Sequence, residues 1–130
     1  MSEWSHFANA KHIDRIIAHA KANPKAWNEP GRDAAWYSAW DAARNAVRPA
    51  VYDVAWYSAW DAARNAANDA VGAARFAARG AVLALVAWDY AGGLMDLPAE
   101  QVKVLALLGD QAALLMYPVI AAMETTQELV

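Results

Sequence analysis

The 130-residue chain contains no cysteine, which excludes disulfides and thiolate metal sites and suits a reducing cytoplasm. Glycine and proline are scarce, at six and five residues, and they fall where helices are expected to begin or end. No segment alternates polar and β-branched residues as a strand does. The longest uncharged apolar stretches, residues 80–88 and 111–123, fall short of the ~20 residues that span a bilayer. These absences predict a helical cytoplasmic protein with no membrane span.

Motifs for catalysis and cofactor binding are missing as well. The chain has no phosphate loop, no dinucleotide-binding glycine pattern, no Gly-x-Ser-x-Gly and no His-Glu-x-x-His. We therefore predict no catalytic residue, no metal and no cofactor, and expect that the protein is not an enzyme. The net charge of −3 is small, residues 33–79 are neutral, and residues 80–130 carry one Lys against six Asp or Glu. A nucleic-acid partner is accordingly not expected.

Alanine occurs throughout the chain and, as the best helix former, predicts an all-α fold. We expect one domain over residues 1–130, built as a compact bundle or short helical-repeat array of about six helices. Asp33 and Asp110 are candidate N-caps, and Pro118 is expected to kink or split the last helix. The predicted helices cover about 3–22 or 9–22, 34–47, 49–71, 73–91, 98–109 and 110–123.

An internal duplication is the most distinctive feature. Residues 33–46, DAAWYSAWDAARNA, recur as residues 53–66, DVAWYSAWDAARNA, with thirteen of fourteen positions identical. In one continuous helix an offset of 20 residues would leave the copies about 200° apart. Because Pro49 disfavours helix at the residue before it, we predict two neighbouring helices, each of which is able to turn its tryptophan pair inward. Each copy then has an aromatic face, a polar face and an alanine face, which in the first copy consists of Ala39, Ala42 and Ala46.

The aromatic faces supply the candidate binding residues. Tryptophans at i, i+4 are usually core residues, yet Trp, Tyr and Arg also dominate interface hot spots. The pairs Asp41/Arg44 and Asp61/Arg64 fit either ordinary ion pairing on a helix surface or cation–π contacts on a binding face. The predicted binding residues are Trp36, Tyr37, Trp40, Arg44, Trp56, Tyr57, Trp60 and Arg64.

We expect the three histidines and Asp89 to have structural rather than chemical roles. His6, His12 and His19 fall in the first helix region, but their spacing does not suit one metal ion. Asp89 follows an apolar run and would be a candidate acid or base if it were buried. Exposure, or pairing with an arginine of the fourth helix, is the favoured interpretation of Asp89.

Several segments resemble small proteins of bacteriophages and prophages that carry Ala/Trp/Asp/Arg repeats and have no known function, some of which are labelled immunity proteins. The resemblance extends over nearly the whole chain. It rests on WDAARNA at 40–46 and 60–66, ALVAWD at 84–89, LP at 97–98, LALLG at 105–109, ALLMYPVI at 113–120, HIDRI at 12–16 and NPKAW at 23–27. It implies a phage setting inside a bacterial host rather than an activity.

The leading functional hypothesis is a phage-type accessory protein that binds a host macromolecule, with a host protein as the expected partner. It would occlude that partner through the aromatic and arginine-rich helix face, and inhibition of a host defence system is one concrete form. A self-associating module that forms a homodimer through its alanine faces is an alternative, as is a protein resembling a toxin's immunity partner. A small ligand-binding protein or enzyme, with a pocket between the repeat helices and the fourth helix, is the remaining alternative.

Overall fold

A computed structural model describes residues 3–5, 7–27, 34–70 and 72–128. Within them the chain forms six α-helices and no strand, which confirms the predicted all-α fold of about six helices. Three 3₁₀ segments connect the helices, at Pro24–Ala26, Arg48–Tyr52 and Asp89–Asp96. The α-helices are α1 (Ala10–Ala22), α2 (Ala34–Val47), α3 (Val54–Asn68), α4 (Ala73–Ala87), α5 (Ala99–Leu107) and α6 (Gln111–Glu128).

Helix α4 is the centre of the bundle. It packs against α1, α2, α3 and α6, while α5 packs on α6. Six consecutive residues of α4, 80–85, are buried, so neighbours cover every side of the helix. A helix that is apolar all round requires such an environment. The apolar run 80–88 therefore belongs, as far as Ala87, to a core helix.

The two copies of the duplication form separate helices, α2 and α3. The predicted break between the copies is confirmed, but Pro49 does not begin the helix of the second copy, because it lies inside the 3₁₀ segment Arg48–Tyr52. Helix α3 begins instead at Val54, where the Asp53 carboxylate accepts a hydrogen bond of 3.0 Å from the backbone N–H of Trp56. An Asp N-cap satisfies a backbone donor that the first turn leaves unpaired.

Other helix boundaries also differ from the prediction. Helix α3 ends at Asn68 and α4 at Ala87, and the residues expected to end α4 near 91 belong to the following 3₁₀ segment. Helix α6 continues through Pro118, so it is not split, and its predicted N-cap Asp110 is confirmed by a 3.0 Å bond from Ala113 N–H. The expected N-cap Asp33 and the third helix's expected end at Val71 lie outside the described residues.

Equivalent positions of the two copies are buried in the bundle. Positions 39, 43 and 47 of α2 and positions 59, 63 and 67 of α3 are buried. The predicted alanine face of the first copy lies partly in the core and partly at the surface, because Ala39 is buried whereas Ala46 is exposed. The two copies are covered differently, since α6 packs closely on α2 and at most marginally on α3. Identical tryptophans therefore differ in exposure: Trp36 is 8% exposed, and Trp56 is half-buried.

Candidate functional site

A cleft with a volume of about 710 Å³ runs between α2 and α3, and we call it the repeat cleft. Both helices pack on α4 but make at most marginal contact with each other, which leaves the space open. Its lining residues are Trp40, Asp41, Arg44, Asn45, Val47, Arg48, Tyr57, Trp60, Arg64, Arg79 and Leu83. The volume falls within the range of about 300–1,000 Å³ that is typical of ligand sites.

The duplication builds the two walls of this cleft. Trp40 and Arg44 on α2 are equivalent to Trp60 and Arg64 on α3, and all four line the cleft. In each copy the Trp and the Arg are four residues apart, so they share one helix face. Arg79 and Leu83 enter from α4 at the same spacing. Residues spaced i, i+4 on three helices thus bring aromatic rings and guanidinium groups together in one cleft.

Positive charge accumulates in the repeat cleft although the chain as a whole is acidic. Four arginines line it, against the single carboxylate of Asp41. Arg64 forms an ion pair with Asp61. Within the described residues the other three, Arg44, Arg48 and Arg79, have no carboxylate within 4.0 Å and donate no side-chain hydrogen bond. Guanidinium groups gathered without counterions favour the uptake of an anion.

Arg79 is the most constrained of these cations. Its side chain is half-buried, and its buried Nε has no hydrogen-bond partner within the described chain. The guanidinium carbon lies 5.6 Å from the centroid of the Trp40 ring, which is cation–π distance. A buried donor without an acceptor costs free energy, and a bound anion would remove that cost.

The aromatic residues of the cleft differ in the contacts that their rings make. Trp40 stacks on Trp36 with centroids 5.4 Å apart and an interplanar angle of 22°, and it also contacts Arg79. Trp60 is half-buried and Tyr57 is exposed, and neither ring contacts another ring or a cation in the described part of the chain. Tyr57 and the part of Trp60 that does not pack against the core therefore offer the surfaces on which a ligand can stack.

Five of the eight predicted binding residues meet in the repeat cleft, namely Trp40, Arg44, Tyr57, Trp60 and Arg64. The other three lie elsewhere. Trp36 is in the core, Tyr37 makes an edge contact with Trp36, and Trp56 makes an edge contact with Phe7. The tryptophan faces are thus partly core and partly surface, which the sequence left open.

Sequence reasoning missed Arg48 and Arg79. Residues 33–79 contain five Arg and five Asp, and this neutrality argues against a nucleic-acid partner without indicating a cluster of arginines. Folding separates the charges, because four of those arginines line the cleft, whereas Asp41 is the only one of the four described aspartates that does. The expected pairing of Asp41 with Arg44 is not formed within 4.0 Å. The signal that could have found Arg48 is its i, i+4 spacing from Arg44.

The other candidates have structural roles or none. Asp89 is exposed and forms no ion pair with the described residues. His6 lies outside the described residues, and no group of three metal-ligating side chains occurs within them.

His19 accepts a 3.0 Å hydrogen bond at Nδ1 from the Trp27 indole, and its Nε2 lies 3.0 Å from the Thr126 hydroxyl. Burial lowers the pKa of His19 below the usual 6.5, so this histidine is held neutral as a link between α1 and α6.

Comparison of the chain with protein-family models, with curated proteins and with solved structures finds no match. None of the helices in the described part of the chain is long and apolar enough to cross a membrane. The function is therefore argued from the repeat cleft itself.

Proposed function

We propose that this protein acts by binding rather than by catalysis, and that the repeat cleft is its binding site for a negatively charged host molecule. In the phage setting that the sequence resemblance implies, it is a cytoplasmic accessory protein that occludes its target. Inhibition of a host defence system is one form of this function. The sequence predicts a host protein as the partner class, and the arginines of the cleft favour a partner that is negatively charged where it binds.

One observation carries the proposal: three guanidinium groups that have no carboxylate partner in the described part of the chain line a single cleft, beside the rings of Trp60 and Tyr57. Arginine beside tryptophan and tyrosine is the composition of binding hot spots. Arginine also suits planar, bidentate contacts with carboxylate or phosphate. The absence of catalytic sequence motifs favours binding over turnover.

A pull-down from bacterial host lysate, followed by mass spectrometry, tests this proposal. The wild-type chain is compared with Arg44→Gln/Arg64→Gln, which removes one charge from each wall. The control is Arg15→Gln/Arg75→Gln, because both arginines are exposed and neither lines the cleft. We expect the same partner with the wild type and the control, and at least tenfold less with the cleft variant. Equal recovery with all three proteins, or no recovery above background with any, would contradict the proposal.

Self-association is a second candidate, and the exposed apolar side chains of α5 and its end favour it. Leu107 and Leu108 are 78% and 79% exposed, and Val104 on the same helix is 52% exposed. A second copy of the chain would cover this face in a symmetric dimer. Sedimentation equilibrium should then show a dimer for the wild type and a monomer for Leu107→Glu. A wild-type monomer at high concentration would contradict self-association.

A further inference from the structure

The repeat cleft presents two kinds of recognition surface side by side. Arg44, Arg48 and Arg79 form a cationic group without carboxylate partners in the described chain. Trp60 and Tyr57 lie across from them with ring faces that no described ring or cation occupies. We propose that the cleft is a nucleotide site, in which the arginines bind the phosphates and the two rings stack on the base. This inference rests on the proposed binding function.

The cationic group suits a phosphate chain better than a single carboxylate. A carboxylate carries one negative charge and is saturated by one bidentate arginine. Three arginines with free donors can satisfy the several oxygens of a diphosphate, which also carries more charge. Arg79, which lines the cleft, adds a buried Nε–H that has no acceptor in the described chain.

The aromatic group suits a planar base. Bases stack on Trp and Tyr rings with little dependence on base identity, because every base has an aromatic face. Asn45 also lines the cleft and can both donate to and accept from a base edge through its amide. An acidic peptide segment would use the arginines but would leave the two rings without a planar partner. The combination of rings and arginines in one cleft therefore favours the nucleotide.

Isothermal titration calorimetry with the full chain separates the two parts of the site. The ligands are ADP, pyrophosphate, adenosine and a glutamate-rich peptide. We expect ADP to bind at least about tenfold more tightly than either pyrophosphate or adenosine, because only ADP engages both groups. We also expect ADP to bind more tightly than the peptide.

Variants test the phosphate-binding arginines and the base-stacking rings separately. Arg48→Gln removes an exposed arginine that makes no described hydrogen bond, and we expect it to weaken both ADP and pyrophosphate. Tyr57→Ala should weaken ADP about tenfold and leave pyrophosphate unchanged. Tyr37→Ala is the matched control, because Tyr37 is the equivalent exposed residue of the first copy and lies outside the cleft. It should leave both ligands unchanged.

Several results would overturn the inference. If pyrophosphate bound as tightly as ADP, or if Tyr57→Ala and Tyr37→Ala behaved alike, the rings would not recognise a base. If the glutamate-rich peptide bound more tightly than ADP, the ligand would be an acidic protein segment. In that case the pull-down would still depend on Arg44 and Arg64, and the proposed binding function would survive. If none of the four ligands bound, the nucleotide inference would be wrong.

Discussion

The substitution Gly92→Ala is expected to destabilise the fold by disturbing a contact between the N-terminus of α1 and the end of α4. Gly92 does not have a positive φ, so what matters there is the missing Cβ. A Cβ at this position would overlap with Oδ1 of Asn9 and would lie 2.7 Å from Cδ2 of His12. Distances this short require Asn9 to move.

The magnitude follows from what Asn9 does in the native structure. Asn9 is 5% exposed, and its side-chain amide donates to the carbonyl oxygen of Leu85 at 2.8 Å. The same amide lies 3.2 Å from the carbonyl oxygens of both Trp88 and Asp89. These carbonyls lie at or just beyond the last turn of α4, where acceptors have no partner within the helix. Loss of these bonds together with steric overlap should reduce the free energy of unfolding by about 2–4 kcal/mol.

Chemical denaturation followed by circular dichroism measures this change, and Gly93→Ala is the matched control. Gly93 is in the same 3₁₀ segment, is exposed, and has no atom within 4 Å of an added Cβ. It should change the free energy of unfolding by less than about 0.5 kcal/mol. Combining Asn9→Ala with Gly92→Ala should cost less than the sum of the two single changes. Equal effects of the two glycine substitutions would refute the reasoning.

Three further predictions concern single side chains. Below about pH 6.5 the free energy of unfolding should decrease as the pH is lowered, because the lowered pKa of His19 in the folded chain means that the unfolded chain binds the proton more readily. His19→Gln should flatten this dependence in thermal melts at about pH 5–8. Arg79→Met should raise the free energy of unfolding by about 1 kcal/mol, since an unpaired buried donor disappears, while it weakens anion binding in calorimetry. A loss of stability for Arg79→Met would contradict the view that this arginine is kept for binding. Asp53→Ala should lower the free energy of unfolding by about 1 kcal/mol in urea denaturation, through loss of the α3 N-cap.

The helical class and the division of the duplication follow from local properties of the sequence. Alanine content, the apolar run before Asp89 and the helix-breaking effect of Pro49 act over a few residues. The start of α3 was misplaced because Pro49 can begin an α-helix or occupy a 3₁₀ turn. What decides between them is the Asp53 cap, four residues further on.

The end of α4 could not be located from local pattern either. Helix α4 stops at Ala87, and Asn9 caps its final carbonyls from 76 residues away. The Gly92-Gly93 pair looked like the stop signal, but Gly92 instead gives Asn9 and His12 room to approach the chain. Contacts of this kind depend on the tertiary packing.

The residue types of the candidate site could be predicted, but their grouping could not. The repeat identifies Trp40, Arg44, Trp60 and Arg64, whereas Arg79 joins them only because α2 and α3 both pack on α4. Net charge per segment was misleading, because it ignores which helix face each charge occupies. Two nearly identical sequences also acquire different environments, since α6 packs closely on the first and at most marginally on the second.

The central claim is that the two copies of the duplication form one anion-binding cleft. The most direct test is an NMR titration of the tryptophan indole N–H signals with pyrophosphate, each signal being assigned by single Trp→Phe variants. Trp40 and Trp60 line the cleft, whereas Trp4, Trp27 and Trp88 do not. We predict saturable shifts for Trp40 and Trp60 and none for the other three. Shifts confined to tryptophans outside the cleft, or no saturable shift at all, would contradict the claim.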